Sequence, residues 1–147
     1  MGTDCLIGRE NPDGTVTAIF CGHDSYPTHV GATLRDHYST PDKIDALMAL
    51  GDLSALGEKI GEKHEFGRGP DNWCEAYGRD RGEDDVGACT YGANDFVGKD
   101  ASFYYVYIFS LADSAWLCRS NRFGDKWLTI DDAIAADEIF TTLMGEL

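Results

Sequence analysis

Cys21, His23, Asp24, His29 and His37 gather thiol, imidazole and carboxylate groups within one short stretch, and these are ligand types that suit Zn²⁺ and related ions. Their spacing does not favour a shared ion. Helical ligands to one metal stand about four residues apart, whereas His29 and His37 are eight apart. The His23-Asp24 pair also lacks the upstream His and downstream Asp of an HD-type phosphohydrolase. No metal and no cofactor is expected. Asp24 is better suited to accept backbone N–H bonds and fix the turn before Ser25-Tyr26-Pro27, with Tyr26 packing on Val30 or on a sheet.

Arg79-Asp80-Arg81 offers different chemistry. Two guanidinium groups two residues apart fall on one side of an extended segment and can clamp a phosphate or carboxylate. The competing assignment pairs them internally with Glu75, Glu83, Asp84 or Asp85. Together with Asp24, Tyr26 and His37 shaping a pocket, Arg79 and Arg81 define a small-ligand alternative, a nucleotide- or anion-binding protein or enzyme. Catalytic signatures are otherwise lacking. There is no Gly-x-Ser-x-Gly elbow, and Gly67, Gly69, Gly78 and Gly82 do not form a phosphate loop ending in Gly-Lys-Ser/Thr. A Cys-His site assembled by folding stays open, but a non-catalytic protein is favoured and no catalytic residue is assigned.

The charge balance gives the strongest functional direction. Twenty-six acids against 12 bases leave a formal charge of −14 on 147 residues. A field of that sign repels nucleic acid and anionic membrane and attracts basic protein surfaces. Two acidic groups stand out, Glu83-Asp84-Asp85 and the set Asp131, Asp132, Asp137 and Glu138. From Phe123 to Leu147 there are six acids and one Lys. Placed on a rigid surface, such groups can occupy a groove where a partner would hold nucleic-acid phosphates. Solubility, with Asp131 and Asp132 favoured at a helix N-terminus, is the plainer use of the same residues.

The elements that must carry these residues follow from periodicity and turn chemistry. The chain has the length of one domain, taken as residues 1–147, and is too aromatic for a disordered acidic tail. Cys5–Gly8 and Thr15–Phe20 flank Asn11-Pro12-Asp13-Gly14 as an N-terminal hairpin. Pro27 opens a helix burying Val30, Leu34 and Tyr38. Pro41 opens a second, burying Ile44, Leu47 and Met48 until Gly51. A third short helix, carrying Leu53, Leu56 and Ile60, is expected next. Residues 64–99, rich in glycine and charge, should be irregular with one or two short strands. Trp73–Tyr77 is the best strand candidate there, and the region is a candidate interaction surface. Ser102–Ser110 and Ala115–Arg119 form a second hairpin, Lys126–Thr129 a further strand, and Ile130, Ile134, Ile139, Phe140, Leu143 and Met144 a helical stripe. The expected class is α+β, a mainly antiparallel sheet with two or three helices on one face. Five scattered cysteines suggest buried, reduced thiols. With no apolar run of membrane-spanning length and no secretory signal pattern at the N-terminus, a cytoplasmic location is expected.

Several segments taken in order carry a resemblance: Asp13-Gly14-Thr15-Val16, Ile19-Phe20-Cys21, Asp24-Ser25-Tyr26-Pro27-Thr28-His29-Val30-Gly31, His37-Tyr38, Gly51-Asp52-Leu53-Ser54-Ala55-Leu56-Gly57 and Ala76-Tyr77-Gly78-Arg79-Asp80-Arg81-Gly82-Glu83. The set resembles a small family of phage and prophage proteins. It implies a viral or mobile-element setting inside a bacterial host, and an anti-CRISPR-type inhibitor as the kind of activity. Family members usually carry His and an aromatic residue just before an Asp-Gly-Tyr-Pro turn. This chain has Gly22, His23 and Ser25 there, so a ligand or base at position 22 does not carry over, and His23, one residue away, is the alternative for that role. Charge and resemblance together suggest an acidic DNA mimic that occupies the basic groove of a host defence protein, anti-CRISPR or anti-restriction, without binding nucleic acid or membrane itself.

Overall fold

The computed structural model describes residues 3–98 and 103–145. The N-terminal hairpin forms as the turn chemistry dictates: β1 (Cys5–Glu10) pairs antiparallel with β2 (Val16–Cys21). Asp13 shapes the turn by accepting from the Thr15 amide and hydroxyl. Pro27–Gly31 makes a π-helical turn that runs into α1 (Ala32–His37), and α2 spans Pro41–Leu50. After β3 (Leu53–Ala55) come β4 (Glu75–Ala76), α3 (Tyr77–Arg81), β5 (Cys89–Tyr91) and α4 (Ala93–Gly98). The second hairpin, β6 (Tyr105–Ser110) and β7 (Ala115–Arg119), is followed by β8 (Leu128–Thr129) and α5 (Ile130–Gly145).

The class is α+β, but the sheet is mixed rather than mainly antiparallel. Its order is β4-β3-β2-β1-β6-β7-β8, with β5 also on β2. The two hairpins lie side by side through β1 and β6, which run parallel from Cys5↔Tyr105 to Arg9↔Phe109. A parallel neighbour requires a long crossover, and the helices between the hairpins supply it. Strand β2 has its outer edge shared: Cys21 pairs parallel with Leu53 of β3, while Val16–Ala18 pair antiparallel with β5.

Helices cover both faces, not one. On the first face Cys5, Ile7, Ile19, Cys21, Tyr105, Tyr107, Trp116 and Cys118 of the strands pack against Val30, Leu34, Tyr38, Ile44, Leu47, Met48, Ile130 and Ala133. Polar atoms of these large rings are satisfied as they go under, as buried Tyr and Trp require. The Tyr107 hydroxyl donates to the Ser25 carbonyl at 2.6 Å, the Tyr38 hydroxyl to the Gly57 carbonyl at 2.6 Å, and the Trp116 indole to the Tyr38 carbonyl at 2.8 Å. On the opposite face Leu6, Val16, Ala18, Val106 and Ile108 are roofed by Phe96 of α4. Gly8 makes room for that ring.

Three further expectations change. The third helix gives way to β3 and irregular chain: the Asp52 carboxylate accepts from the Phe20 amide at 2.9 Å, and Leu53 is drawn into the sheet. Residues 64–99 hold two short strands and also two short helices, with only Glu75–Ala76 of the Trp73–Tyr77 segment in a strand. The stripe along α5 is buried only in its first half, through Ile130, Ala133 and Asp137, while Ile139, Leu143 and Met144 are more than half exposed. Ser102, the first residue of the expected Ser102–Ser110 strand, lies outside the described residues. Four of the cysteines are buried and Cys89 is exposed, all as free thiols.

A β-carbon at position 8 would lie 2.8 Å from both Phe96 Cζ and Val16 Cγ1. Gly8→Ala is therefore expected to lower unfolding stability by about 1–3 kcal/mol through overpacking. A reduced urea midpoint with an unchanged slope would check this.

Candidate functional site

The residues singled out for chemistry are distributed rather than gathered. Asp24 sits in a left-handed conformation (φ 53°) and its main-chain carbonyl accepts from the Val30 amide at the entry to the π-helical turn; its carboxylate accepts no backbone N–H bond among the described residues. Tyr26, 37% exposed, meets Tyr105 and His29 edge-on. His23 donates through Nδ1 to the Ser54 carbonyl at 2.7 Å and, with Asp24, Thr28, His29 and Thr33, borders a cavity of about 190 Å³. His37 lines a different cavity of about 300 Å³, facing Glu58 at 3.9 Å. Among the described residues no three His, Cys, Asp or Glu side chains converge to hold a metal ion.

Both arginines of the Arg79-Asp80-Arg81 segment are engaged within the fold. Arg79 donates to Asp80 at 2.9 Å and to the carbonyls of Ile60 and Cys74 at 2.7 and 2.8 Å. The Asp80 side chain is fully buried and also accepts from the amides of Ala76, at 2.8 Å, and His64, at 3.2 Å. Burial alone would raise its carboxyl, but the Arg79, Ala76 and His64 donors outweigh that and hold it below the usual carboxylate range. The Arg81 guanidinium sits 4.6 Å from the Phe66 ring centroid and 4.7 Å from that of Tyr77, and pairs with Glu83. The five residues of the small-ligand alternative thus occupy three separate places.

The acidic groups lie at opposite ends of the sheet. Glu83, Asp84 and Asp85 are exposed in the loop after α3, beyond the β4 edge. Asp131, Asp132 and Glu138 are exposed on α5, which follows β8 at the other edge. Six strand-to-strand steps separate β4 from β8, roughly 29 Å at the usual interstrand spacing. Asp131 pairs with Arg35 across to α1. Asp137 is drawn inward: only 8% exposed, it accepts from the Tyr105 hydroxyl and faces Arg122 at 3.3 Å. It is a core residue rather than part of an acidic surface.

One cluster escaped the sequence reading. His64, Trp73 and Glu75 border a cavity of about 210 Å³ with Ala55, Gly67, Gly69, Pro70 and Asp71. The Arg79-Asp80 unit positions it by tying residues 60 and 64 to β4 and α3. The only sequence signal was the lone His and Trp within a glycine-rich run; nothing in their spacing of nine residues indicates that they meet. Their rings lie 5.9 Å apart.

No protein-family model matches the chain, and no curated protein or solved structure shows significant similarity to it. No helix among the described residues is long and apolar enough to cross a membrane.

Because Asp80 is held below the roughly 3.9 of an unfolded Asp, its stabilisation is complete above that pH and is lost as the pH falls through the lower folded value. Asp80→Asn is expected to cost about 3–5 kcal/mol at pH 7, by leaving Arg79 without its buried partner. It should also flatten the loss of stability below about pH 4. Urea unfolding of both proteins from pH 7 to pH 3 measures each effect.

Proposed function

We propose that this chain is a non-catalytic, phage-type inhibitor that binds a host defence protein, anti-CRISPR or anti-restriction, by occupying its basic nucleic-acid-binding surface. The observation that carries this reading is the asymmetry of ion pairing. Arg9, Arg35, Arg68, Arg79, Arg81 and Arg122 are each neutralised by carboxylates of the same chain. Asp84, Asp85, Asp132 and Glu138 are exposed and have no ion-pair partner among the described residues. These arginines are used internally; the exposed Lys43, Lys59, Lys63 and Lys126 are not, but the acids outnumber them and set the sign of the outward field. Such a field steers a basic partner and excludes competing polyanions.

The separation of the two acidic groups suits a partner with an extended basic groove better than one with a single small pocket. The phage setting is supported by the ordered segments from Asp13 to Glu83. The small-ligand alternative draws less support, since Arg79 and Arg81 are engaged and neither lines the cavities of Asp24 or His37.

The test is affinity capture of the tagged protein from bacterial lysate at low and high salt, with identification of what is retained. Salt-labile recovery of a nucleic-acid-binding defence protein is expected. Asp84→Lys combined with Asp85→Lys should weaken it about tenfold or more by placing like charges against a basic groove, with the circular dichroism spectrum unchanged. Recovery of no nucleic-acid-binding protein at low salt would overturn the proposal.

A further inference from the structure

The cavity at His64, Trp73 and Glu75 is built from acceptors and an aromatic ring, with no cation in its lining. Nδ1 of His64 lies 2.9 Å from the Glu62 carbonyl, which can only accept, and 3.6 Å from Asp80 Oδ1, so Nδ1 carries a proton and Nε2 is the nitrogen turned toward Glu75. That nitrogen stands 4.0 Å from Glu75 Oε1, an acceptor already used by the Gly67 amide. At 4.0 Å the two atoms are beyond hydrogen-bond distance, so neither satisfies the other. Asp71, exposed, adds a second carboxylate to the lining.

Glycines make the walls flat. A β-carbon on Gly69 would fall within 2.5–2.8 Å of three His64 ring atoms, so its backbone lies against the imidazole face. Gly61, at φ +70°, packs as closely on the Trp73 ring from outside the cavity lining and holds the indole in place. The result is a chamber of about 210 Å³ edged by an indole, two carboxylates and an imidazole. A planar cation with several N–H donors matches it: a guanidinium stacks on an indole and bridges neighbouring acceptors, which a compact ammonium does less well.

We infer that this cavity receives an arginine side chain of the protein partner. The inference rests on the inhibitor reading above for its occupant, and gives that interface a defined anchor at the β4 end of the sheet. Arginine is a residue in which interface energy concentrates when its head is enclosed, and a basic nucleic-acid-binding surface supplies it.

The test needs no partner. N-acetyl-arginine methylamide is titrated into the ¹⁵N-labelled full chain, with the lysine and glycine analogues as controls, following the Trp73 indole and Gly67 amide signals. A saturable shift of both is expected with the arginine probe, about threefold or more tighter than with the lysine probe, and little with glycine. Glu75→Gln should weaken it about tenfold. If that variant loses its fold with the Gly67 contact, Asp71→Asn at the exposed rim should still weaken binding about threefold. Absence of saturation, or equal response to arginine and lysine, overturns the inference. The two readings fail separately. Probe binding without any captured partner upholds the cavity against the inhibitor proposal. A salt-labile partner retained equally by Glu75→Gln, with no probe response, removes the cavity and leaves the inhibitor.

Discussion

One buried carboxylate organises the part of this protein that has least secondary structure. Between β3 and β4 the chain makes no ladder of its own beyond a bridge from Lys59 to Trp73, and its glycines give it little reason to hold a single course. Asp80 supplies that reason. By accepting from Arg79, His64 and Ala76 together it fastens both ends of the segment to α3, and Arg79 extends the same contact to the carbonyls of residues 60 and 74. The placement of His64, Trp73 and Glu75, and of the acidic loop that follows Arg81, depends on this unit being intact. Its charge is an internal structural element and contributes nothing outward.

The other arginines follow the same logic at smaller scale. Arg122 lies among Tyr104, Tyr105 and Phe140 and closes the Tyr105–Asp137 contact beneath α5. Arg35 joins α1 to the start of α5, and Arg9 joins β1 to α2. Positive charge thus serves as fastening between elements. At the surface the acids outnumber the exposed Lys43, Lys59, Lys63 and Lys126, and that excess sets the sign of the field.

Much of the architecture is legible in the residues. Both hairpins, the helices opened by Pro27 and Pro41, and the terminal helix follow from local turn chemistry and apolar spacing, which act over a few residues. What is not legible is set at long range. The parallel junction of β1 with β6 has no local signature, and it is what turns two antiparallel hairpins into a mixed sheet. Leu53 is extended because Cys21 and Ala76 flank it, against a local pattern that also fits a helix. Asp137 looks like one of a run of surface acids until Tyr105 and Arg122 meet it from other elements. Gly8 and Phe96 similarly explain one another only once α4 lies over the sheet. For the candidate site, the sequence marks residues 64–99 as a surface of interest, but which side chains meet there is decided by Asp80.

The β1–β6 junction also sets an order of events during synthesis. Cys5 and Tyr105, paired at its start, are separated by a hundred residues. At about 5–20 residues per second on the ribosome, β1 waits roughly 5–20 seconds for its neighbour β6. Through that interval the N-terminal hairpin carries an open edge rich in hydrogen-bonding groups and apolar side chains, the arrangement most prone to pairing with the wrong chain. The strands at the centre of the finished sheet are therefore the ones whose edge stays open longest while it is being built.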